Sequence, residues 1–210
     1  MVNKIVWWLF CVLCVFVGLY PILYLFIDHS VGLLSTKDSI LLSDRFWNIG
    51  FYGHITFGGI SLLVGWTQFV KKLRINRVSV HRSIGKLYII CVIISGTCGV
   101  YIAQFATGGI SNVLGFSLSG IVWLFTTLFA FKAIVNRDVS RHQSLMIYSY
   151  AICFSAVTLR IWLPMLTAIF GGFNTAYLIV GWLSWVPNLG VAYLIDSRRK
   201  RAPGASVVVD

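Results

Sequence analysis

The stretch that decides the fold runs from Lys71 to Gly96 and reads "KKLRINRVSVHRSIGKLYIICVIISG". Its first part carries six Lys or Arg residues, and its last ten residues are almost wholly apolar. Positive charge beside an apolar run is typical of the end of a membrane-spanning helix. His81, Gly85 and Tyr88 lie at this boundary, and the charge alone does not account for them.

The rest of the chain has the same character. Of 210 residues, 58% are hydrophobic and 11% are charged, the mean hydropathy is +0.86, and glutamate is absent. Soluble domains rarely reach these values, so we predict an all-α, polytopic membrane helical bundle. Six transmembrane helices are expected near Ile5–Ile27, Trp47–Val70, Ile84–Ala106, Val113–Val135, Leu145–Phe170 and Thr175–Ile195.

We expect three regions along the chain. Residues 1–30 form a peripheral N-terminal transmembrane helix, residues 47–195 a five-helix membrane domain, and residues 196–210 a basic cytoplasmic tail. The N-terminal run begins like a signal peptide, but it is too long and lacks a small-residue cleavage site, so it is interpreted as an anchored helix. The connections "TGGISN" and "GGFN" are short and uncharged, as tight turns should be.

The net charge of +11 indicates topology rather than nucleic-acid binding, because the basic residues cluster beside apolar runs. One side of the membrane, here called the basic end of the bundle, receives 14 of the 17 basic residues. The opposite end receives only Lys37 and Arg45, and Arg160 lies within a span. This bias predicts that both termini are cytoplasmic. The five cysteines show no disulfide pattern and are interpreted as packing residues.

Polar and small residues form stripes along several of the apolar helices. Membrane proteins orient the polar side chains of their spans toward the protein interior, since lipid cannot solvate them. The stripes are His54, Gly58, Ser61, Gly65 and Gln68; His81, Gly85, Tyr88, Ser95 and Gly99; His142, Met146, Ser149, Cys153, Ala156 and Arg160; and, on the fourth and sixth helices, Gly115, Ser119 and Thr126, and Tyr177, Gly181, Ser184 and Asn188. Such stripes also suit close helix packing, which is the simpler interpretation of the glycines and serines.

The histidines and the arginine define two layers. A basic-end layer contains His81 and His142, with Arg82, Lys86 and Arg141 nearby, and an opposite-end layer contains His54 and Arg160, within reach of His29 beside Asp28. Gly58 and Gly85 follow their histidines by one turn and would leave room for a flat macrocycle.

Paired histidines on facing helices can ligate haem iron, and cations at the rim can hold its propionates. Candidate residues for haem b are His54, His81 and His142 as iron ligands, with Arg160, Arg82 and Tyr88 as further contacts. The alternatives remain open: histidines at helix ends also serve as interfacial residues, and an arginine can extend to the interface. Zinc at the three histidines matches no known spacing.

Three functions follow from these patterns. The first is a haem-b protein that carries electrons between redox partners. The second is a non-catalytic partner or assembly factor for other membrane proteins. The third is a small-solute or proton pathway lined by His54, Gln68, Tyr88 and Arg160, although the spans lack carboxylates and paired interrupted helices. No phosphate-binding loop, dinucleotide fingerprint or nucleophile elbow indicates a soluble-type enzyme.

From Asn48 to Asn188 the sequence resembles the bacterial predicted-membrane-protein family known as domain of unknown function 2306. The resemblance rests on "NIGFYGHITFGGISLLVGWTQFVKKLR", "HRSIGKLYI", "RHQSLMIYSYAICFSAVTLR" and "WLSWVPNL". It implies a multi-pass protein of the cell membrane, in bacteria the inner membrane, and little chemistry. Relatives tend to have His-Arg-x-Trp-Met where this chain has His142 to Met146, and many have an acidic residue near Tyr193.

Overall fold

The computed structural model of this chain describes residues 4–26 and 34–201, and within them it is built from helices without strands. Six helical spans are long and apolar enough to cross a membrane, which confirms the predicted fold class. In chain order, the first to sixth spans are Lys4–Tyr24, Arg45–Phe69, Val78–Ala103, Ile110–Val135, Val139–Phe170 and Phe173–Arg201. The predicted His29 lies outside the described residues, as do the ends of the predicted N-terminal and tail regions.

The described residues contain ten α-helices and three short 3-10 segments. The α-helices are α1 (Lys4–Leu19), α2 (Ser39–Ser43), α3 (Arg45–Gly65), α4 (Lys71–Asn76), α5 (Val78–Ala103), α6 (Gly109–Val135), α7 (Val139–Cys153), α8 (Ser155–Phe170), α9 (Phe173–Leu183) and α10 (Val186–Arg201). The 3-10 segments are Tyr20–Leu25, Leu34–Thr36 and Trp66–Phe69. Of these elements, α2, α4 and the segment Leu34–Thr36 lie outside the spans. Asp44 and Asp138 begin α3 and α7, where each carboxylate accepts a backbone N–H of the first turn.

Helix packing brings the fifth span, built from α7 and α8, against the first, second, fourth and sixth spans. The most extensive contacts join α3 to α5, α6 to α5 and α7, α8 to α9, and α1 to α3. The main core comprises Cys14, Val17, Leu62, Tyr88, Val92, Trp123, Tyr150, Ile152, Cys153 and Val157. Large apolar side chains such as Phe16 and Ile169 remain exposed on the outside, where lipid would solvate them.

Small residues allow the closest helix crossings. A Cβ on Gly59 would lie 2.6 Å from the carbonyl oxygen of Gly18, so α1 and α3 touch backbone to backbone. A Cβ on Gly115 would lie 2.9 Å from the Gly181 oxygen, which brings α6 and α9 together. The first span is therefore packed tightly on the second, with Cys14 fully buried, although it carries no polar stripe.

Glycine also forms the predicted turns. Gly108 and Gly109 have φ of 99° and 70°, and Gly171 has φ of 68°, conformations that favour glycine over residues with a Cβ. The connections between the third and fourth spans and between the fifth and sixth are consequently short.

The fifth and sixth spans are both interrupted, which the sequence analysis did not expect. Pro187 has no N–H to donate to the carbonyl of Leu183, and α9 gives way to α10 at this point. Asn188 Nδ2 donates to the carbonyls of Ser184 (3.0 Å) and Ala151 (3.2 Å), and Thr158 Oγ1 donates to Ser184 (2.5 Å). Side chains thus donate to backbone carbonyls at both interruptions.

Candidate functional site

A closed hydrogen-bond network joins the third, fourth and fifth spans. Trp123 Nε1 donates to Tyr88 Oη (3.3 Å), Tyr88 pairs with Ser149 Oγ (2.8 Å), Ser149 pairs with Thr127 Oγ1 (2.7 Å), and Thr127 donates to the Trp123 carbonyl (2.7 Å). Because Thr127 gives its one proton to the carbonyl, Ser149 must donate to Thr127, and Tyr88 must donate to Ser149. Tyr88 is 0% exposed, and each of its hydrogen-bonding groups is used. Its contact with a cofactor stays a prediction.

The network sets the register between α5 and α7. Tyr88 and Ser149 meet at a separation of 61 residues, and His81 and His142 have the same separation. Both helices run in the same direction, and each histidine lies seven residues, or two turns, before its partner in the network. His81 and His142 therefore lie level with each other on the same helix faces, about 10 Å closer to the basic end.

The two imidazoles of the basic-end layer are near enough to interact electrostatically. His142 Nδ1 lies 2.9 Å from the Ala130 carbonyl, which can only accept, so Nδ1 carries the proton and Nε2 is left uncommitted. His81 Nδ1 is buried and has no hydrogen-bond partner among the described residues. Arg74 and Arg82 also lie within electrostatic range of His81, so the layer is flanked by cations.

Gln68, in the 3-10 segment that follows α3, lies close to the basic-end layer. Its side chain is 9% exposed, and a Cβ on Gly85 would lie 3.4 Å from its Oε1. Gly85 follows His81 by one turn on α5, so the amide meets α5 one turn away from His81. Within residues 4–26 and 34–201 the side chain of Gln68 makes one hydrogen bond, to Thr67 Oγ1, which is long at 3.4 Å and leaves most of the bonding capacity of the amide unused there.

The opposite-end layer is built around His54. Its Nδ1 donates to the Ser95 carbonyl (2.9 Å), and Ser95 Oγ donates back to the His54 carbonyl (2.8 Å). A Cβ on Gly99 would lie 2.7 Å from Nδ1, so the ring fits α5 only because that position is glycine. This reciprocal pair fixes the imidazole against α5.

Arg160 is near enough to His54 to act on it electrostatically, so the residues predicted for this layer come together. Its Nη1 donates to the Ala156 carbonyl (2.8 Å), and its guanidinium lies over the Tyr20 ring, 4.3 Å from the centroid. Tyr24 interacts with it electrostatically. Tyr20 and Tyr24 were missed from the sequence, because the first span shows no polar stripe.

The predicted space beside Gly58 is filled. A Cβ there would lie 3.0 Å from Ser95 Oγ, so the missing side chain admits α5 rather than a macrocycle. At Gly85 the neighbour is the end of the Gln68 side chain at 3.4 Å, an ordinary contact. Of the two layers, only the basic-end layer has a glycine gap bounded by a movable side chain.

An ion-pair cluster near the basic end was also missed. Asp196, 4% exposed, accepts Ser144 Oγ (2.9 Å) and pairs with Arg199 (3.0 Å) and Lys200 (2.8 Å). Arg199 also donates to Ser144 Oγ (2.8 Å). The cluster links α10 to the start of α7, where His142 lies. Helix α10 extends to Arg201, beyond the predicted end of the sixth span at Ile195. The spacing of Asp196, Arg199 and Lys200 was a usable signal.

Two further tests bear on the site. Within residues 4–26 and 34–201 no group of three His, Cys, Asp or Glu side chains forms a metal site, so the three histidines do not converge on one ion. No hydrogen bond between described residues links His54, Gln68, Tyr88 and Arg160 into a continuous chain.

Outside the spans, Lys37 donates to the Phe105 carbonyl and to Thr107 Oγ1, and burial lowers the pKa of its amine.

These features define a polytopic, all-helical integral membrane protein with two histidine layers. Residues 51–195 match the sequence model of the family described as "Predicted membrane protein (DUF2306)", and the chain belongs to that family. Searches of curated proteins and of solved structures found no match.

Proposed function

We propose that this integral membrane protein binds haem b between His81 and His142 and carries electrons. The observation that carries the proposal is the shared register of α5 and α7, which brings two imidazoles from separate spans to one level. Iron ligation by two histidines needs this arrangement.

The donor chemistry of the pair fits the group. Histidine ligands usually donate their second ring N–H to a carbonyl, which fixes the tautomer, and His142 does this with Ala130. In the described part of the chain the buried His81 Nδ1 has no partner, and the Gln68 amide has donors and acceptors to spare. α5 and α7 make few close backbone contacts with each other, so side chains bridge the distance between them.

The roles of the chain's residues follow. His81 and His142 would ligate the iron, and Arg82 and Arg74 would attract the propionates at the basic end. Haem ligated by two histidines cycles between its ferrous and ferric states and so transfers single electrons. Tyr88 and Ser149 hold the two helices in register. Redox partners would approach from the basic end.

An absorption spectrum tests the proposal. The full chain should be purified from haem-supplemented cells and measured in oxidised and dithionite-reduced states. We expect a Soret band, with loss of that band in both His81→Ala and His142→Ala because they share one iron. His54→Ala, in the other layer, is the matched control and should retain the spectrum.

Three results would contradict the proposal: no Soret band in the wild-type protein, retention of the full band in both basic-end variants, or equal loss in the His54 control.

We further propose that the basic end faces the cytoplasm of a bacterial cell. The support is the asymmetry of basic residues across the membrane. Fusions of green fluorescent protein and alkaline phosphatase to the C-terminus should give fluorescence without phosphatase activity, and the reverse pattern would refute this orientation.

A second function, that of a non-catalytic partner of other membrane proteins, is favoured by the closed Tyr88 network, which makes the centre a rigid scaffold. Native gels of solubilised membranes would reveal a larger complex that survives His81→Ala and His142→Ala. A monodisperse, haem-loaded monomer would exclude this alternative.

A further inference from the structure

Arg160 is a charged side chain in an apolar span with little to balance its charge. A guanidinium has five N–H donors, and among the described residues Arg160 uses one, at Ala156. No carboxylate among the described residues forms an ion pair with it; the recorded pairs both belong to Asp196. An uncompensated charge at this position is costly, so an anion would relieve it.

The neighbours of Arg160 add aromatic rings and hydroxyls rather than negative charge. Tyr20 lies beneath the guanidinium, and the Tyr20 and Tyr24 rings are 6.0 Å apart. His54 cannot supply an acceptor through Nδ1, since that nitrogen donates to Ser95. Arg160 is thus the cationic donor of this layer. One face of its guanidinium is stacked on Tyr20, and the N–H groups other than the one bonded to Ala156 can donate to a ligand.

The site opens toward the membrane. Arg160 and Tyr20 are both partly exposed, and the adjacent residues Leu19, Leu23 and Ile161 are exposed by 46%, 43% and 42%. A ligand reaching Arg160 from this side would have an apolar body along these side chains and an anionic group at the guanidinium. Phosphate oxygens accept the paired N–H groups of arginine well.

We propose that Arg160, stacked on Tyr20, binds the phosphate group of an anionic membrane lipid at the end of the bundle opposite to the basic loops. The lipid chains lie against the first and fifth spans, and the Tyr20 and Tyr24 hydroxyls are available to the headgroup. This site is independent of the proposed haem layer.

Native mass spectrometry of the full chain, titrated with phosphatidylglycerol or with phosphatidylcholine of the same acyl chains, tests the proposal. We expect selective phosphatidylglycerol binding that weakens at least about tenfold in Arg160→Gln, corresponding to the loss of one charge-assisted contact. Arg45→Gln removes an exposed arginine from the same end and should bind like the wild type.

Equal binding by Arg160→Gln and the wild type, or equal weakening in Arg45→Gln, would overturn the site. Displacement of the lipid by inorganic phosphate at equal concentration would identify a free-anion site and overturn the lipid assignment. Should Arg160→Gln fail to fold, Arg160→Lys carries the test. It keeps the charge but lacks the planar fork, so weaker phosphatidylglycerol binding supports the proposal and unchanged binding overturns it.

Discussion

The Tyr88 network and the His81–His142 layer lie two turns apart on the same helices, yet they differ in how their polar groups are satisfied. Around Tyr88 each donor has an acceptor within the protein. Around His81, a buried ring nitrogen and most of the Gln68 amide have no partner in the residues that the structure describes. Polar groups that complete one another hold the bundle together, whereas incomplete ones can accept a ligand.

The largest effect should come from breaking the closed network. Tyr88→Phe removes one hydroxyl and leaves the Trp123 N–H and Ser149 without their partner, so we expect a loss of about 2 kcal/mol in unfolding free energy. Reversible denaturation in detergent would measure it. Tyr101→Phe, at a side chain 39% exposed, is the control and should change little.

A smaller loss is expected at the Asp196 cluster. Asp196→Asn removes a buried carboxylate, but the side chains of Arg199 and Lys200 are 23% and 57% exposed and can be solvated again. We expect about 1 kcal/mol of destabilisation. Arg198→Gln removes an exposed charge from the same turn. If both variants melt at the same temperature, the cluster does not anchor α10.

In the basic-end layer, replacing His81 should change the unfolding free energy in the opposite direction. In protein from haem-deficient cells, His81→Leu deletes an unsatisfied buried nitrogen, and we expect it to be neutral or stabilising by up to about 1 kcal/mol. His142→Leu loses the bond to Ala130 and should destabilise by a similar amount. Thermal melts of both variants compare them directly, and clear destabilisation by His81→Leu would mean that this nitrogen has a partner.

The smallest effect concerns pH. Burial lowers the pKa of Lys37, so between its pKa in the folded protein and the ordinary value of 10.5 the unfolded chain binds more protons. The stability contributed by Lys37 therefore rises with pH in that window. The difference in unfolding free energy between the wild type and Lys37→Met should therefore increase as the pH rises toward 10. A constant difference would show that the amine is solvated.

Much of the architecture could be predicted because membrane spans are recognisable in a sequence from their length and hydropathy. The histidine layers could also be located, since helical periodicity fixes faces and depths. The interruption near Ser184 had a sequence signal, since Pro187 lacks the N–H that would bond the Leu183 carbonyl. The interruption near Phe154 had none, because the side chains that bond there, Asn188 and Thr158, reach across two spans. Tyr20 was missed for the same reason: its partner, Arg160, is 140 residues away in the sequence.

The hydrogen bond between Ser144 and Asp196 has a consequence for biosynthesis. These residues are separated by 52 positions in the chain. At about 5–20 residues per second, the ribosome needs several seconds to deliver Asp196 after Ser144. During that interval the start of α7 lacks this tether, so insertion of the proposed haem beside His142 is expected to follow translation rather than accompany it.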